Sequence, residues 1–319
     1  MKEQYVSTLA EGQSVDTTFV LKGKELRVAR TGDAYLSLEI ADRSGTLSAV
    51  RFRPSEADVS TPVGVAVRIR GRVTAYRGRK RVSVEHMRPA ESFEREDMLP
   101  GRRRDADEVR RSLRRHVSTV RDATLRGLLT TVFGDELFLA RFLDCPMSPA
   151  ICRAYVGGLA EHAVAVARLC EAAVLSYPEA HRDLLITGAL LHDIGMVDQL
   201  VFDTTIGVSD EGLLLGHEVL GERRIQEAAG RAPHPLAPEL LSALSHAVLT
   251  HHAVAPAALA PRTLEAVILQ GANSLDLGAA GFVRATAAAS ADDERWTDER
   301  NSLGRSLLVP HALAVAAGG

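Results

Sequence analysis

The sequence predicts an α+β multidomain protein, a small N-terminal β-barrel followed by an all-α domain. Three observations predict it. Apolar residues alternate with a period of two through residues 14–88, apolar residues beyond about residue 115 recur at helical spacing, and a polar, charge-dense stretch separates the two regions. The expected boundaries are 1–89 for the barrel, 90–114 for the linker and 115–319 for the helical domain.

Composition bounds the function. The 319 residues exceed one ordinary domain, and 46% hydrophobic with 25% charged content is that of a soluble globular protein. The net charge of −3 conceals an asymmetry: Met1 to Pro89 carries 16 basic against 10 acidic residues, leaving 22 against 31 for the remainder. A basic first domain beside an acidic second one implies that the first holds a polyanion. Cys145, Cys152 and Cys170 form no CxxC pair and are odd in number, which fits a reducing compartment. The opening MKEQYVSTLAEGQSVD lacks the apolar core of a signal peptide, and no uninterrupted apolar run reaches membrane-spanning length. A cytoplasmic location without a membrane partner is the expectation.

The barrel strands follow in order. Val15, Thr17, Phe19 and Leu21 alternate, as do Leu36, Leu38 and Ile40. After the turn DRSG come TLSAVRFR, then VAVRIRGRVTAYRG, and after the Arg77-Gly78 turn the last strand, RKRVSVEHM. About five short alternating strands punctuated by glycine predict a barrel of the OB type. In the fourth strand Val65, Val67 and Ile69 point one way while Arg68, Arg70, Arg72 and Tyr76 point the other, next to the basic turn containing Arg77, Arg79 and Lys80. Cations that track phosphates and rings that stack on bases make a single-stranded nucleic-acid groove, with Tyr35 and Phe52 as further stacking candidates. A solvated barrel face explains the same pattern without a ligand.

AESFEREDMLPGRRRDADEVR forms the linker. Beyond it Leu125, Leu128, Leu129 and Val132 share one helical face, and Leu159, Ala163, Val166 and Leu169 another; no strand is expected there. This domain holds the residues that need explaining. His162 lies among Ala, Val and Leu; His192 and Asp193 interrupt the buried helix ITGALLHDIGMV; His217 lies in GLLLGHEVLG; His246, His251 and His252 come from LSHAVLTHH. Each alone reads as a core histidine bonded to a carbonyl. Several in one helical domain share a purpose, and a divalent metal removes the cost of burying them. His86, His116, His181, His234 and His311 lie in polar or terminal contexts and read as surface residues.

The order H, HD, H, HH and a late acidic position resembles the HD-domain phosphohydrolases. RTGDAYLSLEIADRSG, AYVGGLAEH, GALLHDIG, DEGLLLGHEVLG, LTHH and LGRSLLVP together resemble the YhaM-type 3'-5' exoribonucleases, which join an OB-fold to an HD domain. The similarity spans about residues 14–310. It implies that His162, His192 and Asp193 ligate a metal, that His217, His251 and His252 hold a second metal or the phosphate, and that manganese is the ion. It also implies that the barrel feeds single-stranded RNA or DNA to the site.

Four departures accompany the resemblance. Where the family has a motif like LHYADNLDA this chain has LQGANSLDL, so Asn273 replaces the metal-binding acid and Gln270 a histidine. Asn273 still offers a carbonyl oxygen to a metal, without charge, and Asp276 is an alternative acid. Met196 replaces a lysine, and Cys152-Arg153 replaces a His-His pair, leaving Arg153 to contact a phosphate. The leading expectation is a metal-dependent exonuclease releasing nucleoside monophosphates, with Asp193, His192 and His217 catalytic. The alternatives are a catalytically degenerate nucleic-acid-binding scaffold and an HD phosphohydrolase of a small nucleotide.

Overall fold

Alternation of apolar side chains builds the first strands as expected. In the computed structural model, which describes residues 2–29, 32–76, 78–101, 104–147, 153–252, 259–291 and 295–310, β1 (Ser14–Val28), β2 (Ala34–Asp42) and β3 (Gly45–Phe52) form a meander. A short helix, α1 (Glu56–Ser60), capped by Ser55, leads to β4 (Ala66–Tyr76) and β5 (Arg79–Pro89). The strands close in the order β1-β2-β3-β5-β4, with β3 and β5 parallel and the other pairs antiparallel. The first half of β1 pairs with β4 and its second half with β2, with an irregularity between Leu21 and Gly23 where it changes partner. Phe19, Leu21, Leu36, Ile40, Val67, Ile69, Val73 and Val82 fill the interior. Each such side chain contributes about 1.5–3 kcal/mol of burial. This is the OB-like barrel predicted.

The second region is helical: α2 (Ala106–Thr119), α3 (Ala123–Phe133), α4 (Glu136–Asp144), α5 (Gly158–Ser176), α6 (Arg182–Leu191) and α7 (Met196–Gln199). A two-stranded sheet, β6 (Leu200–Phe202) and β7 (Ile206–Val208), precedes α8 (Asp210–Arg231), α9 (Pro238–Thr250) and α10 (Leu264–Ala291). Aspartates start three of these helices, since Asp105, Asp122 and Asp135 each accept backbone N–H groups of the first turn. Leu125, Leu128, Leu129 and Val132 are buried as their spacing required.

Three expectations are corrected. The stretch read as linker ends early, because α2 begins at Ala106; its buried apolar residues are only Val109 and Leu113, obscured by intervening arginines. No strand is expected beyond about residue 115, but β6 and β7 form there, three residues each and too short for a period to show. His116, read as a surface residue, is buried on α2. The chain forms two compact units, Met1–Gly101 with Val201–Gly207, and Arg102–Leu200 with Val208–Gly319. α10 is long and apolar enough to cross a membrane by length and composition, but it buries Ala266, Leu269, Asn273 and Asp276.

Candidate metal centre

Three histidines reach a common point from three helices, and each has one ring nitrogen already committed. His192 is the C-cap of α6, and its Nδ1 donates to the Ala189 carbonyl at 2.9 Å. His251 is the C-cap of α9, and its Nδ1 donates to the Val248 carbonyl at 2.5 Å. Both use a carbonyl left without a partner by the end of their own helix. His162 sits inside α5, and its Nδ1 donates to Asp276 Oδ2 on α10 at 2.7 Å. The partners are oxygens that only accept, so a neutral ring held this way keeps its proton on Nδ1 and turns its Nε2 lone pair to the centre.

Those lone pairs surround Asp193, which sits in the turn between α6 and α7. The HD dipeptide thus ends its helix rather than lying within it, since His192 closes α6 and the chain turns at once. Gly195 makes the turn possible: a Cβ there would stand 2.0 Å from the His217 carbonyl oxygen, so only glycine lets α8 approach. Asp193 Oδ1 lies 3.0 Å from His251 Nε2 and 3.2 Å from His217 Nε2. Its Oδ2 lies 3.3 Å from His192 Nε2 and 3.4 Å from His162 Nε2. His217 follows a kink at Gly216 (φ 73°), which re-aims the chain within α8.

Two ligand groups result, sharing one carboxylate. His162, His192 and Asp193 form the first; Asp193, His217, His251 and His252 form the second; within each group one ligand atom per residue lies within 4.8 Å of all the others. Asn273 is buried beside them, its Nδ2 3.4 Å from the His251 carbonyl and 3.4 Å from His252 Nδ1. Two buried oxygens, Asp193 Oδ2 and Asn273 Oδ1, have no hydrogen-bond partner. Bare imidazole nitrogens, a shared carboxylate and an orphaned amide oxygen are all electron-pair donors, and a divalent cation is what satisfies such a set. The His/Asp clusters are consistent with divalent-metal binding.

The electrostatics agree. Burial pushes the Asp193 carboxyl up, but the imidazoles of His192, His217 and His251 packed around it outweigh this and hold Asp193 well below the ordinary carboxylate range. Burial lowers His251, and burial with the neighbouring His251 pushes His252 down to about 3. His217 is raised: burial opposes it, but Asp193 and Glu218 prevail.

The sequence missed the support behind His162. Asp276, an alternative ligand by position, turns its oxygens to His162 Nδ1 and, at 2.8 and 3.2 Å, to the guanidinium of Arg153. Arg153 does not meet the expectation of a free phosphate contact; its guanidinium is occupied by Asp276, Tyr155 Oη and Glu161, each of the last two at 3.4 Å. Glu161 and Tyr155, within the stretch AYVGGLAEH, were the available signal. Met196 is buried, so the lysine it replaces would not have projected freely there. His246 stands apart, its Nε2 accepting the Arg262 backbone N–H at 2.8 Å. Cys152 and His311 lie outside the described residues.

On the barrel, Arg68, Arg70 and Arg72 are exposed along β4, opposite buried Val67, Ile69 and Val73. They are not free: Arg68 and Arg70 both reach Asp16, at 2.8 and 3.5 Å, and Arg72 donates to the Gly12 carbonyl at 3.3 Å. Lys80 donates to the Leu9 carbonyl at 3.1 Å, and the Arg81 guanidinium covers the Tyr76 ring at 4.3 Å. Arg79 pairs with Tyr76 across the β4–β5 turn, and Arg77 lies outside the described residues. Tyr35 and Phe52 are directly opposed on β2 and β3, ring centroids 5.9 Å apart, with Arg27 of β1 beside Tyr35 in register. β1 separates the two features, the arginines flanking its first half and the aromatic pair its last residues.

Residues 159–278, which contain the whole histidine cluster, match the HD domain family. The 3'-5' exoribonuclease YhaM of Bacillus velezensis is 28% identical over 271 residues, covering 83% of this chain and 85% of its own. That of Bacillus subtilis gives the same identity and coverage. Over most of its length the chain is similar to the YhaM-type 3'-5' exoribonucleases. Another YhaM, from Listeria innocua, is 26% identical over 76% of this chain and 77% of its own. Among solved structures, the second OB-fold domain of replication protein A from Methanococcus maripaludis matches 30% of this chain and 99% of its own at 18% identity, with a TM-score of 0.24. Kinship with YhaM thus covers both the barrel and the HD region, and the histidines lie in the HD part.

Proposed function

We propose that this chain is a divalent-metal-dependent phosphodiesterase that releases nucleoside monophosphates from the 3' end of single-stranded RNA, with DNA as a second substrate. One observation carries the reading: the donor-only cluster around Asp193, buried and preorganised by hydrogen bonds from the outer nitrogens of its histidines. His162, His192 and Asp193 would hold one ion and Asp193, His217, His251 and His252 a second, with Asn273, beside His251 and His252, offering its amide oxygen as a further ligand. When bound, such ions polarise a phosphate and lower the pKa of water, and manganese suits this mixed nitrogen and oxygen set.

The chain's own residues supply the rest. Asp193 belongs to both groups and fixes their relation. His192 and His251 are fully buried, whereas His217 and His252 are only partly so and face the accessible side, where a phosphate must arrive. On the barrel, Tyr35 and Phe52 offer a stacking platform, while Arg68, Arg70, Arg72, Arg79 and Lys80 offer phosphate contacts. The RNA substrate and the direction of attack follow the YhaM relatives, the single strand follows the stacking pair and arginines of the barrel, and a cytoplasmic location follows the same reading.

The test uses the purified full chain with Mn²⁺ and end-labelled single-stranded RNA. Mononucleotides should be released progressively from the 3' end. The double variant His192→Ala with Asp193→Ala should bind the RNA and release none; parental release by that variant would refute the assignment. Asn273 favours a second reading, because a neutral amide in place of an acid weakens the ion's hold: a nucleic-acid-binding scaffold without turnover. RNA binding with no mononucleotide release by the metal-loaded parent would select it.

A further inference from the structure

We infer that Asp276, anchored by Arg153, is a positioning residue of the metal centre: it accepts the hydrogen bond of the His162 Nδ1–H and so leaves the Nε2 lone pair facing His192 and Asp193. The inference rests on the metal reading above and adds residues that touch no ion. Its starting point is a difference between the histidines. His192 and His251 end their helices and bond back to free carbonyls three residues earlier. His162 lies inside α5, where the helix consumes its own carbonyls, so the acceptor must come from another helix. Asp276 supplies it from α10 at 2.7 Å, on the ring edge away from His192.

The structure commits much to holding that carboxylate. Arg153 grips both its oxygens, at 2.8 and 3.2 Å, and is backed by Glu161, which also accepts from Tyr155 Oη at 2.8 Å and from the Arg104 backbone N–H at 3.2 Å. Three charged side chains are thereby largely buried, 17% exposed for Arg153, 4% for Glu161 and 10% for Asp276. Arg153 also holds a positive φ of 52°, which a non-glycine residue adopts at a cost. A Cβ at Gly158 would stand 2.1 Å from the Arg153 carbonyl oxygen, so that loop geometry requires glycine there. Apolar packing would stabilise the fold as well as a buried ion network does. A strained, charged arrangement that ends on one imidazole nitrogen is explained by what that nitrogen must do.

The experiment titrates Mn²⁺ alone into the metal-stripped full chain. Asp276→Ala should weaken binding about 10- to 100-fold, and Asp276→Asn, which keeps an acceptor oxygen without charge, should weaken it less. In a His162→Ala background Asp276→Ala should add nothing; an additive loss would make Asp276 an independent ligand and overturn the inference. The ¹⁵N shifts of the His162 ring in the metal-free chain give a second readout. The parent should show a protonated Nδ1 and a bare Nε2, and Asp276→Asn should shift the tautomer balance. An unchanged tautomer together with unchanged Mn²⁺ affinity reduces Asp276 to a structural ion pair. A parent chain that takes up no Mn²⁺ sinks the metal reading itself, before any variant is compared.

Discussion

The Nε2 atoms of His162 and His192 lie 3.1 Å apart, and neither has a proton to offer the other. Two lone pairs held face to face in a buried site are a cost that a shared cation removes. Mn²⁺ at about 100 times its dissociation constant should therefore stabilise the chain by about 2.7 kcal/mol. Thermal melting with and without chelator measures this. The double variant His192→Ala with Asp193→Ala should lose the whole metal-dependent increment; an increment equal to the parent's would place the ion elsewhere.

Asn273 gives a prediction with two opposite signs. Its Oδ1 is buried without a partner. Asn273→Asp puts a charge there, which costs the metal-free chain stability because nothing neutralises it. The same charge strengthens the hold on a divalent ion. The variant should melt lower than the parent in chelator and gain more from added Mn²⁺. Equal gains in the two proteins would show that residue 273 does not face the ion.

The barrel was legible because period two survives in Leu36 to Ile40 and Val67 to Val73, where every inward position is apolar. The histidine cluster was legible for another reason: His162, His192 and His251 are charged types in apolar surroundings, and one purpose explains them together. What sequence did not show is who satisfies their outer nitrogens. Asp276 and Arg153 are 123 positions apart, and nothing local ties them. The arginines of β4 were visible, but not that Asp16 on β1 engages two of them, since strand pairing alone brings Asp16 opposite Arg70. α2 was hidden because its few apolar side chains are diluted by arginines.

The barrel's two features should separate by salt. Replacing Arg68, Arg70 and Arg72 with alanine leaves fewer phosphates neutralised, and each phosphate left bare should flatten the salt dependence of single-strand affinity by about 0.7 in log–log slope. Asp16→Asn should do the reverse, because it releases Arg68 and Arg70 from their ion pairs. Tyr35→Ala or Phe52→Ala should cost about 1–3 kcal/mol for each unstacked base at unchanged slope. Fluorescence anisotropy across a salt series reads both. If the arginine triple variant keeps the parental slope, the strand does not follow β4.

His116 gives the pH prediction, away from the metal centre. Burial on α2 lowers its pKa below the usual 6.5, helped by Arg168, Arg115 and Arg182 and opposed by Glu171. The unfolded chain therefore binds the proton more readily than the folded one. His116 contributes its full stability above pH 6.5, and that contribution is lost as the pH falls through 6.5 toward the lower folded value. His116→Leu removes the titration while filling the same apolar position. Measured by denaturant melts, the parent should lose more stability than the variant between pH 7.5 and 5.5, and the two should run parallel above pH 7. Subtracting one curve from the other cancels the distant histidines common to both. Parallel curves across the whole range would mean that His116 takes up its proton as easily in the folded chain as in the unfolded one.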